Sequence, residues 1–331
     1  MFGSSPAGPG EFELIEQYFR QPGAAAALES EQGAILLGIG DDCAVVDVAA
    51  GRKLLMSIDT LVEGVHFLPG TEPDVLGWRS LAVNISDLAA MGADPWCFTL
   101  ALTLPRTDTH WLREYSQGLF RLAKRFGMHL IGGDTTRGPL TLTLQVQGTL
   151  AGAPLTRSGA KPGDLVLVSG TLGDAAAALR FLDLPREAYN DAQQYLRRRY
   201  EYPEPRVAIG QKLRGLATAA IDISDGLLAD LGHICERSGV GAWIAPAQVP
   251  LSAAIRAELP RDDALQCALE GGDDYELCFT LPPDKLRHIQ NWVEEGLVTL
   301  VGEITSEPGL WLRDPSGQLQ VTSSRGYRHF E

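Results

Sequence analysis

Residues 140–146 read Leu-Thr-Leu-Thr-Leu-Gln-Val, an unbroken alternation of apolar and polar side chains. Successive side chains of a strand point to opposite faces, so this run has one buried face and one that is wet or lies at an interface. A period of two does not fit a helix, and the chain must contain a sheet. Further strands are expected over residues 54–58, 99–104, 165–169, 219–223 and 276–281. Helical patterns cover 11–19, 75–90, 110–126, 174–182, 205–216 and 227–237. Ser224 or Asp225 can cap the last of these, and Pro205 suits a first helical turn. Strand and helix pieces in alternation predict an α/β or α+β protein.

A chain of 331 residues exceeds the ~250–300 at which single cores stop growing, which favours two domains. The stretch 148–163, GTLAGAPLTRSGAKPG, is the richest in turn residues and carries the expected boundary. The reading is a disordered Gly/Pro/Ser-rich tail over residues 1–10, an N-terminal domain over 11–150 and a C-terminal α/β domain over 151–331.

Acids outnumber bases, 42 − 28 = 14, for a net charge of −14. The longest basic run is Arg197-Arg198-Arg199, so nucleic acid is not an expected partner. An anionic substrate would need something positive between it and this acidic protein. Residues 138–156, the longest uncharged stretch, are full of Thr, Gln, Gly and Pro, and no membrane span is expected. The opening MFGSSPAGPGEF has no basic start or apolar core, so no secretory signal is expected. Cys43, Cys97, Cys235, Cys267 and Cys278 include no CxxC pair, which predicts reduced thiols in a cytoplasmic protein.

Chemistry concentrates where aspartates stand beside glycines or at the ends of predicted strands. The clusters are Gly38-Ile39-Gly40-Asp41-Asp42-Cys43, Ser57-Ile58-Asp59-Thr60, Asn84-Ile85-Ser86-Asp87, Gly132-Gly133-Asp134-Thr135-Thr136, Asp222-Ile223-Ser224-Asp225-Gly226 and Gly271-Gly272-Asp273-Asp274-Tyr275-Glu276. Asp-Gly pairs also make ordinary turns. Repeated six times, however, they make a supply of hard oxygen ligands suited to Mg²⁺ and to phosphate. Asp222 and Ser224 share one face of a strand, and Asp225 then opens a helix. Asp87 lies in an otherwise apolar helix, where a bare carboxylate is costly without a partner.

Other features leave two readings open. Gly170-Thr171-Leu172-Gly173-Asp174 is either a phosphate-holding loop or a tight strand-to-helix turn, and it matches neither a P-loop nor GxGxxG. His66 is either a loop histidine or a substrate contact. Arg157, in Thr156-Arg157-Ser158-Gly159, is either a solvated arginine or a phosphate clamp.

The phrases GIGDDCAVVD, NISDLAAMGADP, IGGDTTRGP, LTRSGAKPGD, IDISDGLLADLGHI and GGDDYELCFT occur in one order along nearly the whole chain. Together they closely resemble the thiamine-monophosphate kinases, of the aminoimidazole-ribonucleotide-synthetase-like ATP-binding superfamily. The resemblance implies a homodimer of two-domain subunits whose N-terminal sheets pair across the dimer. It implies transfer of the ATP γ-phosphoryl group to thiamine monophosphate, with several Mg²⁺ ions and no phosphoenzyme. By position, Asp42, Ser57, Asp59, Asp87, Asp134, Asp222 and Asp225 would be metal ligands, and Ile58 would contribute only backbone where the family has Thr. Gly133, Asp134, Arg157 and Ser224 would contact ATP. His66, Asp273 and Tyr327 would contact the thiamine phosphate, with Asp273 standing where the family has Glu. Asp42, Asp87, Asp222 and Arg157 would carry the catalysis.

The same resemblance frames the alternatives. A selenophosphate synthetase would need a reactive N-terminal Cys and a following Lys, whereas Cys43 sits inside the aspartate motif. A hydrogenase-maturation dehydratase would end in a reactive Cys, and this chain ends Tyr327-Arg328-His329-Phe330-Glu331. An aminoimidazole-ribonucleotide-synthetase-like ligase or cyclase is the nearest alternative and usually carries Glu where this chain has Asp134.

Overall fold

The structure is a computed structural model and describes residues 10–20 and 28–322. The expected tail lies outside the described residues except for Gly10. The chain divides into two compact units, one holding residues up to Leu88 with Ala93–Gly152, the other Ala89–Gly92 with the residues from Ala153 onward.

In the first unit, α1 (Glu11–Leu14) runs on into a π-helical turn, Ile15–Phe19. A small antiparallel sheet follows, β1 (Leu28–Ser30), β2 (Gly33–Leu37) and β3 (Val45–Val48). The main sheet has the order β4-β7-β5-β6, from β4 (Arg52–Val62), β5 (Asp94–Leu104), β6 (His129–Arg137) and β7 (Thr141–Ala151). The alternating run falls in β7, where Leu142, Leu144 and Val146 are fully buried and Thr141, Thr143 and Gln145 are half-buried. Register pairs Ile58 with Gln145 and Thr60 with Thr143, so the polar face of β7 continues into β4. There Leu54, Met56 and Ile58 are 39%, 62% and 58% exposed, an apolar row on an outer strand. The small sheet packs Ile35 on Trp96, Cys97 and Ile131. Two helices, α2 (Pro73–Ala90) and α3 (Thr109–Arg125), cross so closely that a Cβ on Gly77 would lie 2.0 Å from the Tyr115 carbonyl oxygen, and one on Gly118 would lie 2.0 Å from that of Asp74. Only glycine permits that approach.

The second unit is built on a mixed sheet of order β14-β13-β10-β12-β8-β11-β9. Its strands are β8 (Leu165–Ser169), β9 (Ala219–Asp222), β10 (Gly241–Ile244), β11 (Leu277–Leu281), β12 (Val298–Thr305), β13 (Gly309–Arg313) and β14 (Leu319–Val321). The α-helices are α4 (Asp174–Ala178), α5 (Asp191–Glu201), α6 (Val207–Leu213), α7 (Leu227–Ser238), α8 (Ala253–Glu258), α9 (Arg261–Glu270) and α10 (Gln290–Glu294). Val166, Val168, Ile221, Ile223, Leu228 and Leu231 lie in one core between the sheet and α7. The run expected to be helical over 205–216 is shorter, since Arg206 is the N-cap and Pro205 precedes the helix. Helix α5 has no apolar stripe beyond Leu196 and Tyr200. Its start is set instead by a capping box, Asn190 accepting from the Gln193 N–H while the Gln193 side chain accepts from the Asn190 N–H.

The five cysteines are free, four of them buried and Cys43 exposed. Among the described residues no helix is long and apolar enough to cross a membrane.

Candidate active site

In the first unit, Ser57 and Asp59 sit two apart on β4 and therefore face one way. Helix α2 brings Asn84 and Asp87, one turn apart, against them. The Ser57 hydroxyl donates to Asp87 Oδ2 at 2.5 Å, and the Asp59 backbone N–H donates to Asn84 Oδ1 at 3.1 Å. Asp87 thus has the partner that its apolar helix demanded. Burial, and then the neighbouring Asp87 carboxylate, push the Asp59 carboxyl up to about 6. Two carboxylates and a hydroxyl held this close form a hard-oxygen set that a divalent cation would relieve of its repulsion. Among the described residues, no three His, Cys, Asp or Glu side chains are grouped tightly enough to hold a metal ion alone. Mg²⁺ fits that arrangement, because it takes one or two carboxylates and fills its shell with water and substrate phosphate.

The Ile58 side chain, between Ser57 and Asp59, belongs to the exposed apolar row. A side chain at this position points away from the Ser57–Asp59–Asp87 set, so the isoleucine removes no ligand from it. Asp42 lies in the exposed turn between β2 and β3, its own N–H donating to Asp41 Oδ1 at 2.9 Å. Asp134 stands level with Thr60 in the sheet register, but β7 and β5 lie between them. That is about 14 Å at ~4.8 Å per strand, and this unit does not bring Asp134 to Asp59 and Asp87. At Gly133 a Cβ would lie 1.9 Å from the Leu100 carbonyl oxygen, so β6 can approach β5 there only through glycine. His66 Nδ1 accepts the Val62 N–H at 3.0 Å and closes the turn after β4.

In the second unit, the loop after β9 runs beside the 271–276 loop. Asp273 N–H donates to the Ser224 carbonyl and Tyr275 N–H to that of Ile223, both at 2.9 Å, while Ile223 N–H donates to the Glu276 carbonyl at 2.7 Å. This strapping gathers Asp222, Ser224, Asp225 and Asp273. It requires Gly226 and Gly272, since a Cβ on either would fall under 3.0 Å from backbone of the facing segment. Ser224 and Asp225 do not cap α7. Its N-cap is Gly226, and Asp230 Oδ2 accepts the N–H groups of Ser224, Asp225 and Gly226, each at 3.1 Å. The acid that shapes this loop comes from inside the helix. Burial pushes the Asp230 carboxyl up to about 7 against those bonds. The Arg157 loop is stapled by Ser238, whose Oγ donates to the Arg157 carbonyl and accepts from Gly159 and Ala160 N–H. Tyr327 lies outside the described residues.

The 170–174 loop is a structural turn. Gly170 N–H donates to the Leu297 carbonyl, Leu172 N–H to that of Pro250, and Gly173 N–H to Asp274 Oδ2 at 2.7 Å. With those amides committed, it is not a phosphate cradle.

Beneath the two loops lies a buried charge cluster. Glu276, with no exposed surface, accepts from Arg199 at 2.9 Å, from both Arg206 donors, and from the Ser169 hydroxyl at 2.5 Å. Burial alone would raise the Glu276 carboxyl, yet Arg206 and Arg199 outweigh it and hold it below its ordinary range. Burial raises the neighbouring Asp174 and Asp274, Asp274 far more. Sequence reading missed Asn84, Asp230, Tyr275 and Glu276 as functional supports. All four stood within the quoted motif phrases, which was the available signal.

The fold and these acidic loops define the class. Residues 40–152 match the family described as AIR synthase related protein, N-terminal domain, and residues 161–314 match its C-terminal domain. The chain is 47% identical over 330 residues to a thiamine-monophosphate kinase of Escherichia coli (strain K12), covering 97% of this chain and 98% of that one. It is 42% identical over 329 residues to one from Haemophilus influenzae, covering 97% and 98%. A crystal structure of thiamine-monophosphate kinase from Stenotrophomonas maltophilia K279a superposes with a TM-score of 0.80 at 46% identity, covering 86% of this chain and 92% of that one. AaThiL complexed with AMPPCP and TMP superposes at 0.77 with 30% identity, covering 85% and 89%. Escherichia coli HypE, a hydrogenase maturation protein, shares the fold at a TM-score of 0.71 and 20% identity. This chain belongs to the thiamine-monophosphate kinase family.

Proposed function

We propose that this chain transfers the γ-phosphoryl group of ATP to thiamine monophosphate, giving thiamine diphosphate and ADP. The observation that carries the reading is the full-length likeness to thiamine-monophosphate kinases through both units. The relative complexed with AMPPCP and TMP supports the substrate pair.

Phosphoryl transfer asks a protein for alignment and charge neutralisation rather than covalent chemistry. The acceptor is a phosphate monoester, already nucleophilic near neutral pH, so no strong general base is required. In the first unit Ser57, Asp59 and Asp87 are the proposed ligands of one Mg²⁺, with Ile58 contributing backbone alone, and Asp42 and Asp134 are proposed as ligands of further Mg²⁺ ions. In the second unit the proposed ligands are Asp222 and Asp225. When bound, Mg²⁺ offsets the repulsion between two anionic substrates and the charge that develops on the transferring group. Gly133, Asp134, Arg157 and Ser224 hold ATP, and Arg157 adds a fixed positive charge. His66, Asp273 and Tyr327 hold the thiamine phosphate. A discontinuous assay for thiamine diphosphate from thiamine monophosphate and MgATP tests the activity, with the aminoimidazole-pathway substrate as control. Turnover of the control alone would overturn it.

The substrate assignment predicts a split in Michaelis constants. Tyr327→Ala and Asp273→Ala raise KM for thiamine monophosphate and leave KM for ATP nearly unchanged, while Asp273→Glu is tolerated. Equal weakening toward both substrates, with a lowered melting temperature, would reassign both residues to packing.

A homodimer is proposed as well. The supporting feature is the row Leu54, Met56 and Ile58 on β4, continuous with the polar face of β7. An exposed apolar row of this kind calls for a cover, and two-fold pairing of like surfaces is the commonest way to provide one. Light scattering at micromolar concentration should give twice the chain mass, and Met56→Lys with Ile58→Lys should shift it toward the monomer. A parent chain that scatters as a monomer refutes the pairing. The cytoplasm is the proposed compartment, supported by five free thiols.

A further inference from the structure

Among the described residues, the non-glycine positions with φ in the left-handed region are Asp273, at 70°, and Tyr275, at 52°. Aspartate tolerates that region, but a bulky aromatic residue rarely adopts it and does so only where its surroundings hold it there. The hold is visible. The two backbone bonds to Ser224 and Ile223 fix residues 273 and 275, and between them Asp274 turns into the interior to accept the Gly173 N–H. Burying Asp274 does not by itself call for tyrosine next door, since glycine would take the same φ without strain. What tyrosine adds is its hydroxyl. The Tyr275 ring is buried at 8% exposure, and its hydroxyl donates to Asp273 Oδ1 at 2.9 Å. A rigid buried ring with one polar tip therefore fixes the direction of a half-buried carboxylate at the loop surface.

We infer that Tyr275 is a positioning residue that aims the Asp273 carboxylate at the acceptor substrate. The inference rests on the reading of Asp273 as a thiamine-phosphate contact. Removing the hydroxyl leaves the ring, its packing and the backbone bonds in place. It removes the hydroxyl bond that helps fix the direction of the carboxylate, so the loss falls on binding of the one substrate that Asp273 meets.

The test compares Tyr275→Phe, Asp273→Asn and the double variant in the full chain, measuring both Michaelis constants and the melting temperature of each. Tyr275→Phe should raise KM for thiamine monophosphate roughly 3- to 10-fold, the scale of one lost hydrogen bond. KM for ATP should stay within about 2-fold and the melting temperature within about 2 °C, as expected when packing is kept. The double variant should bind thiamine monophosphate no worse than Asp273→Asn alone, because Tyr275 acts through that carboxylate. Three results would overturn the inference. One is a raised KM in Asp273→Asn with none in Tyr275→Phe. Another is additive losses in the double variant, or weakening toward ATP as large as toward thiamine monophosphate. The third is an unchanged KM in Asp273→Asn, which overturns the inference by removing the reading of Asp273 on which it rests.

Discussion

Asp87→Asn should lower turnover by at least ~10²-fold, the scale of one lost preorganised electrostatic contact. The amide keeps the size of the side chain and can still accept from the Ser57 hydroxyl, so the change is one of charge. Asp59 and Asp87 already repel one another strongly enough to help push Asp59 up to about 6. Neutralising Asp87 relieves that repulsion, and the melting temperature should hold or rise while activity collapses. A damaged fold would instead lower both. The variant should also need more Mg²⁺ to reach its own maximum, and excess EDTA should abolish the activity of the parent chain. A loss under ~10-fold, or full parent activity in EDTA, would remove this carboxylate from the proposed cation site.

Much of this was legible in the sequence, for identifiable reasons. Strand β8 was readable to the residue because an apolar run with turn residues on both sides has few alternatives. Asp87 stood out because an ionised group on an apolar helix has to be paired. Strand β4 proved longer than expected because Ser57, Asp59 and Thr60 interrupt its apolar character, and the small sheet β1–β3 went unread because its strands are only three to five residues long. The 170–174 loop could not be decided locally. Its amides are satisfied by Leu297, Pro250 and Asp274, residues about a hundred positions away that no window of sequence places nearby. The cap of α7 was misassigned because two good capping residues precede it, yet an acid inside the helix takes the loop amides.

The arginines hid the most. Arg199 ends the basic run Arg197-Arg198-Arg199, and Arg206 lies within the run expected to be helical over 205–216. Both turn inward onto Glu276, the pivot of the second unit's stability. Glu276→Gln should cost about 3–5 kcal/mol, the usual penalty for removing one partner of a buried ion pair. At 2–4 °C per kcal/mol for a unit of this size, the melting temperature should fall by roughly 10 °C. Its neighbour Asp274 should behave in the opposite way, although it is as deeply buried. Two arginines face three carboxyls here, Glu276, Asp174 and Asp274, so full ionisation would leave one excess negative charge in the interior. Asp274, its carboxyl raised far above the ordinary range by burial, is the group placed to keep a proton. The native state then binds a proton that the unfolded chain has released above about pH 4. Stability from this group is full below that pH and declines as pH rises toward the raised native value. Asp274→Asn mimics the protonated form and still accepts from Gly173. It should be nearly neutral at pH 5 and gain on the parent chain as pH rises to 8. Thermal unfolding of both variants at the two pH values decides the matter. A Glu276→Gln loss under about 2 °C, or an Asp274→Asn loss that deepens with pH, would show that the charge in this cluster is distributed the other way.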